Sequence, residues 1–179
     1  MAGTVQIVDL DTYEPTDAEI VSWHEMMTAP DQLLWEYDES WTKGPTDQQT
    51  QIDSSRQRRA RQRGQNHPLW AMVNGRVVGM IGINRFTDPP RQHCGELGFG
   101  VIAEFTRQGI GRRLLTAAIG KARQLGLKRL QADCFDDNAA SIALLRKCGF
   151  QDEGVRIGAV CKDGKLRDQR LFGLMLRDR

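Results

Sequence analysis

The sequence predicts an α/β (α+β) fold in which one parallel strand–helix–strand unit is flanked by antiparallel hairpins. Three observations predict it. Leu97, Phe99, Val101 and Ile102 make an apolar run that ends in a polar turn and Gly109-Ile110-Gly111. Ile110, Leu114, Ala118, Ala122 and Leu125 then recur on one helical face, Gly126 stops that helix, and residues 127–134 return as a strand. A crossover of this length joins parallel neighbours by a right-handed connection. Finally, Asn74-Gly75 and Asp163-Gly164 each separate two strand-like runs, as tight antiparallel hairpins require.

In chain order, Val5 to Val8 reads as a first strand and Thr16 to Met27 as a helix capped by Thr16 or Asp17. Residues 30–45 are irregular, with Trp35, Tyr37 and Trp41 interleaved with Glu36, Asp38 and Glu39. Residues 46–64 form a second, polar helix ending at Gly64. Residues 69–73 and 76–84 make the first hairpin, and 87–93, with Pro89-Pro90, a loop. The strand at 96–102, the helix at 109–126 and the strand at 127–134 follow. Asn138 caps a further helix whose stripe is Ile142, Leu145 and Cys148, and Gly149 ends it. The last hairpin pairs residues 151–161 with 166–176.

A length of 179 residues is read as a single domain, 1–179, with a sizeable core. A hydrophobic content of 40% and a charged content of 27% place it with soluble globular proteins. The net charge of +2 gives no global attraction to nucleic acid. Apolar runs fall short of a membrane span and no signal segment is seen, so the expected location is cytoplasmic, with no membrane partner. Cys94, Cys134, Cys148 and Cys161 lack C-x-x-C spacing and are expected as buried free thiols, with no metal site. Five arginines lie within residues 56–63. With no interleaved aromatic for base stacking they read as a solvated helix face, partly balanced by Asp47 and Asp53. Binding RNA, an acidic partner or cofactor phosphates is the alternative.

Strand, glycine turn and helix N-terminus together suit phosphate oxygens. Glycine lets backbone approach a ligand, and the first N–H groups of a helix point outward at the positive end of its dipole. A dinucleotide fingerprint fails because Leu114 stands where its third glycine belongs, and no Gly-Lys-Ser/Thr ending exists for a P-loop. The stretch Thr106-Arg107-Gln108-Gly109-Ile110-Gly111 resembles the Q/R-x-x-G-x-G/A signature of the GCN5-related N-acetyltransferases (GNAT). Thr106 takes the place of the usual Gln or Arg. Residues 138–150, N-A-A-S-I-A-L-L-R-K-C-G-F, resemble the same family's second motif, in the right order and at the right separation. The resemblance covers roughly residues 70–176. Its C-terminal stretch is similar to the RimJ/RimL-like or small-amine branch.

The resemblance implies the GNAT fold: a mixed, mostly antiparallel sheet of six or seven strands, about four flanking helices, and a splayed parallel strand pair that holds the cofactor. It implies acetyl-CoA as co-substrate and transfer to a primary amine of a small molecule or protein, by direct attack in a ternary complex. Phe99, Gly100 and Val101 would pair with pantetheine. Thr106, Arg107, Gln108, Gly109, Ile110, Gly111 and Arg112 would hold pyrophosphate, and Asn138 and Ser141 would lie against pantetheine. Leu145 stands where the family usually has a tyrosine that protonates the leaving thiolate.

An alkylamine, with a pKa of about 10.4, is protonated at neutral pH, so transfer needs a base. Glu96, interrupting the apolar strand, is the first candidate; a surface or salt-bridged carboxylate is the other reading. Asp133 and then His93 follow it. The segment Trp35 to Trp41 would suit a cationic amine, or pack in the core. Two further functions compete: an acyl-CoA-binding sensor without turnover, and an RNA- or protein-binding module. The chain is expected as a monomer or homodimer.

Overall fold

The computed structural model describes residues 4–28, 47–162 and 164–176. Its elements are β1 (Val5–Asp9), α1 (Asp17–Thr28), α2 (Gln48–Gln62), β2 (Asn66–Val73), β3 (Arg76–Arg85), β4 (Cys94–Val101), α3 (Ile110–Gln124), β5 (Arg129–Phe135), α4 (Ala139–Lys147), β6 (Gln151–Lys162) and β7 (Lys165–Met175). The segment Trp35 to Trp41, with its acidic residues, and Asp163 lie outside the described residues.

The seven strands form one sheet in the order β1-β2-β3-β4-β5-β7-β6. All neighbours are antiparallel except β4 and β5. This is the mixed sheet with four helices and a parallel central pair that the sequence predicts. The parallel ladder runs only from Cys94↔Arg129 to Leu97↔Ala132. Beyond it β4 stays with β3 through Val101, while β5 stays with β7 through Phe135. The pair therefore splays at its C-terminal ends.

Helices α1 and α2 both begin on side-chain caps. Thr16 and Glu19 form a reciprocal box: the Glu19 N–H donates to Thr16 Oγ1 at 3.3 Å and the Thr16 N–H to Glu19 Oε2 at 2.8 Å. Asp47 caps α2 by accepting from the Thr50 N–H at 2.8 Å.

Successive residues of β3 face opposite ways, which places α1 and α3 on opposite sides of the sheet. Trp23 of α1 donates from Nε1 to Met80 Sδ at 3.2 Å and stacks on Trp70, ring centroids 5.9 Å apart. A Cβ on neighbouring Gly79 would meet Leu114 of α3 at 3.3 Å. The buried face of α3 is Ile110, Leu114, Leu115, Ala118 and Ala122, so the predicted stripe gains Leu115 while Leu125 is only half-buried. Ile52 is the one buried residue of α2, which is otherwise held to α1 by polar contacts.

Strand β2 starts three residues before the expected Leu69, at Asn66. Pro68, which cannot donate, hides the strand in the sequence. In the sheet the Pro68 carbonyl accepts from the Leu10 N–H at 3.0 Å. Of the cysteines, Cys94 and Cys134 are buried as expected, but Cys148 is half-buried and Cys161 exposed; all four are free thiols.

Candidate functional site

The turn before α3 holds two residues with left-handed backbone, Arg107 at φ 58° and Gly109 at φ 81°. Gly109 is the N-cap and offers no side chain to accept the helix's first N–H groups. The first helical bond is donated by the Arg113 N–H to the Gly109 carbonyl at 3.1 Å, which leaves the N–H groups of Ile110, Gly111 and Arg112 ahead of it. Among the described residues nothing lies within 4 Å of where a Cβ on Gly109 would stand, so they leave the space over the turn open. Gly111 serves differently: a Cβ there would meet Leu144 of α4 at 2.9 Å, so this glycine brings the two helices together.

Side chains around the turn mostly serve the fold. Thr106 donates from Oγ1 to the Ala103 carbonyl at 2.8 Å, and Gln108 from Nε2 to the Glu104 carbonyl at 3.2 Å. Ile110 is buried, so only its backbone can meet a ligand. Arg107 and Arg112 are exposed. The turn thus presents backbone donors and guanidinium groups. Its backbone donors and guanidinium groups suit an anionic phosphate ester, with the Thr106 and Gln108 side chains turned to the fold.

Phe99, Gly100 and Val101 are half-buried on the part of β4 that has left β5. Facing them across the splay, Asn138 caps α4, its Oδ1 accepting from the Ser141 N–H at 3.0 Å. Asn138 Nδ2 is not used by that cap, and Ser141 is half-buried. Leu145 is fully buried in the core, so no proton donor occupies its place. Cys148, the nearest thiol in sequence, has its pKa raised by burial, against a smaller opposing effect of Arg112.

Glu96 lies on the α1 side of the sheet, opposite Asn84 of β3 and Gln131 of β5. It is half-buried, and its Oε1 accepts from Gln131 Nε2 at 3.1 Å. Asp133 shares that face two residues along β5 and accepts from Gln169 Nε2. His93 is exposed and precedes β4, at the end away from the splay. The structure therefore groups Glu96 and Asp133 on one face and leaves His93 apart.

On that same face a cleft of about 700 Å³ opens between the β1–α1 turn, α2 and the sheet. Trp23, Trp70 and Met80 line its base, Gly82, Asn84 and Gly98 its floor, and Arg56, Arg58, Arg59 and Arg63 its α2 wall. Sequence reading missed it, because its parts come from five separate elements. The arginine run is indeed mostly exposed, but its partners are not Asp47 and Asp53. Arg56 donates to Asp17 at 2.6 Å and Arg59 to Glu14 at 3.2 Å. Asp47 is a helix cap, and Asp53 accepts from Gln49 Nε2 at 3.2 Å.

Comparison with known proteins agrees with the architecture. A family model described as Acetyltransferase (GNAT) family matches residues 27–150. The uncharacterized N-acetyltransferase YoaA of Bacillus subtilis is 31% identical over 100 residues, covering 55% of this chain and 55% of YoaA. The N-alpha-acetyltransferase RimI of Mycobacterium tuberculosis is 37% identical over 91 residues, covering 51% of this chain and 56% of RimI. The chain thus spans just over half the length of these relatives. The solved structure of yncA from Salmonella typhimurium with its cofactor acetyl-CoA superposes with a TM-score of 0.70 at 21% identity, covering 100% of this chain and 96% of that one.

Proposed function

The chain belongs to the GNAT family of acetyltransferases, and from that premise we propose that it is an acetyl-CoA-dependent N-acetyltransferase. The acceptor is a primary amine of a small molecule or protein, and transfer is direct, in a ternary complex. The single observation that carries this reading is the coincidence of an open, uncapped αL-glycine turn before α3 with a β4–β5 pair that parts beside it. A linear cofactor with a phosphorylated end and an amide-bearing chain suits both.

In this reading acetyl-CoA supplies an acetyl group activated as a thioester. The N–H groups of Ile110, Gly111 and Arg112, with Arg107 and Arg112 beside them, hold the pyrophosphate. Thr106 and Gln108 shape the turn. Phe99, Gly100 and Val101 hold pantetheine in strand-like fashion, with Asn138 and Ser141 opposite. Glu96 takes a proton from the acceptor ammonium, directly or through one water. The amine then forms the N–C bond as the C–S bond breaks; the surplus proton on the new amide nitrogen passes to the departing thiolate, which leaves as the coenzyme A thiol, and no thiol of the chain carries the acetyl group. Gln131 keeps the Glu96 carboxylate turned across the strand pair. RimI's name, and the likeness of the last hairpin to the RimJ/RimL-like branch, support an α-amine among the acceptors to try.

The test is thiol release from acetyl-CoA with an amine panel, for the native chain and for Glu96→Gln. We expect turnover with at least one amine and a fall in kcat of about 10²- to 10⁴-fold in the variant, with coenzyme A binding retained. Coenzyme A binding with no turnover on any amine would leave the chain a sensor of acyl-CoA instead.

A further inference from the structure

The cleft under α2 reaches the candidate catalytic face. Its floor runs across three strands, because Gly98 of β4 is the cross-strand partner of Gly82 and Gly82 that of Pro68. Two side-by-side glycines leave a shallow trough there, narrowed by the Asn66 amide, which lies 3.4 Å from where a Cβ on Gly82 would stand and donates to Asn84 Oδ1. Asn84, on the floor, is the direct partner of Glu96. One end of the trough therefore lies a single strand from the candidate base, and the other lies against α2.

The charges lining it are four guanidinium groups and two carboxylates, Asp11 and Glu14, among the described residues. Both carboxylates already face cations. Asp11 Oδ2 is 2.7 Å from Lys121 Nζ and 2.6 Å from His67 Nδ1, and Glu14 is 3.2 Å from Arg59. Burial alone would raise the Asp11 pKa, but hydrogen bonds from Lys121 and His67 outweigh it and the net direction is down, so Asp11 stays ionised and engaged. Asp17 answers Arg56. Arg59 and Arg63 stand one turn apart along α2, and Arg63 has no carboxylate partner among the described residues. A second ammonium group entering this cleft finds no disengaged carboxylate among the described lining residues, whereas an acid group finds donors in a fixed fork geometry.

Resting on the transferase reading above, we propose that the acceptor is an acidic amine: a primary amine that also bears a carboxylate or phosphonate. The acid group sits between Arg59 and Arg63, and the amine is presented along the glycine trough toward Glu96. Polyamines and aminoglycosides, which add cations, are disfavoured by the same charges.

The experiment measures thiol release from acetyl-CoA with L-glutamate and L-methionine, each beside its α-carboxamide, with an aminoalkylphosphonate, and with spermidine and kanamycin. The acids should exceed their carboxamides and both polycations in kcat/KM by about 10-fold or more, and the advantage should shrink as salt rises. Arg63→Gln should raise KM for the acids about 10-fold while kcat, KM for acetyl-CoA and Tm stay put, with Arg63→Lys restoring part of the loss. A purely structural arginine at the end of α2 would move Tm and not KM. Preference for spermidine or kanamycin, parity of acids and carboxamides, or an unchanged KM in Arg63→Gln would overturn the proposal. Calorimetry with L-glutamate in the presence of coenzyme A separates the two readings. Binding lost in Arg63→Gln, with no turnover on any amine, keeps the acid subsite and rejects the transferase. Turnover of spermidine alone does the reverse.

Discussion

Arg59 supplies to Leu10 the hydrogen bond that Pro68 withholds. Leu10 and Pro68 sit opposite each other where β1 leaves the sheet. The Leu10 N–H reaches the Pro68 carbonyl at 3.0 Å, but proline has no N–H to return to the Leu10 carbonyl. Arg59, arriving from α2, donates to that carbonyl at 2.8 Å and also reaches the Tyr13 carbonyl at 3.4 Å. The same contact roofs the cleft.

Removing this guanidinium should orphan a part-buried carbonyl. Arg59→Met is expected to lower stability by about 1–3 kcal/mol in denaturant titration. Pro68→Ala, made together with it, should recover part of the loss by restoring the strand donor. Equal losses in the single and double variants would reject the compensation.

Asn138 is asked to do two things with two ends of one amide. Asn138→Asp keeps the oxygen that accepts from Ser141 but loses the Nδ2 donor, so Tm should hold while KM for acetyl-CoA rises. Asn138→Ala should lose both, and about 1 kcal/mol of stability with the cap. A KM unchanged in both variants would reduce Asn138 to a helix cap.

Gly109 needs its positive φ and has open space above it. Gly109→Ala should therefore cost about 1–2 kcal/mol from backbone strain rather than from a clash. It should also weaken coenzyme A binding, measured by calorimetry. A variant that binds coenzyme A as the native chain does would remove this turn from the cofactor site.

His24 ties α1 to α2, its Nε2 lying 2.7 Å from Ser55 Oγ and 3.1 Å from the Gln51 carbonyl. Burial lowers its pKa below the ordinary 6.5, the Arg58 charge adds to that, and the Gln51 contact opposes them. A depressed folded pKa means the unfolded chain binds the proton more tightly. The contribution is thus full above about pH 6.5 and is lost as pH falls through the folded value. Native-state hydrogen exchange should show α2 loosening first in mild acid, and His24→Gln should flatten that dependence.

Much of the frame was legible because local chemistry and global fold agree. Asn74-Gly75 marks its hairpin, the 3.6-residue apolar spacing marks α3, and Asn138 marks the start of α4. Glu96 stood out as a charge in an apolar strand, and its face is set by two-residue alternation. What was not legible depends on contacts distant in sequence. Pro68 reads as a break because the donor that replaces its own comes from α2. The arginines read as a solvated face because Glu14 and Asp17, not their helical neighbours, answer them. Trp23, Trp70 and Met80 are plain core residues until the sheet brings them under α2.

The parting of β4 from β5 has a further consequence. A strand with one ladder normally sits at the rim of a sheet, where any passing chain can add to it. Here the half-paired stretch, Gly98 to Val101, lies in the middle of the sheet, walled by β3 on one side and by β5 with β7 on the other. No second protein can reach it edge-on. The cofactor chain proposed to pair there must therefore be a single extended chain lying between β4 and β5, so thickness is the first property the sheet asks of it.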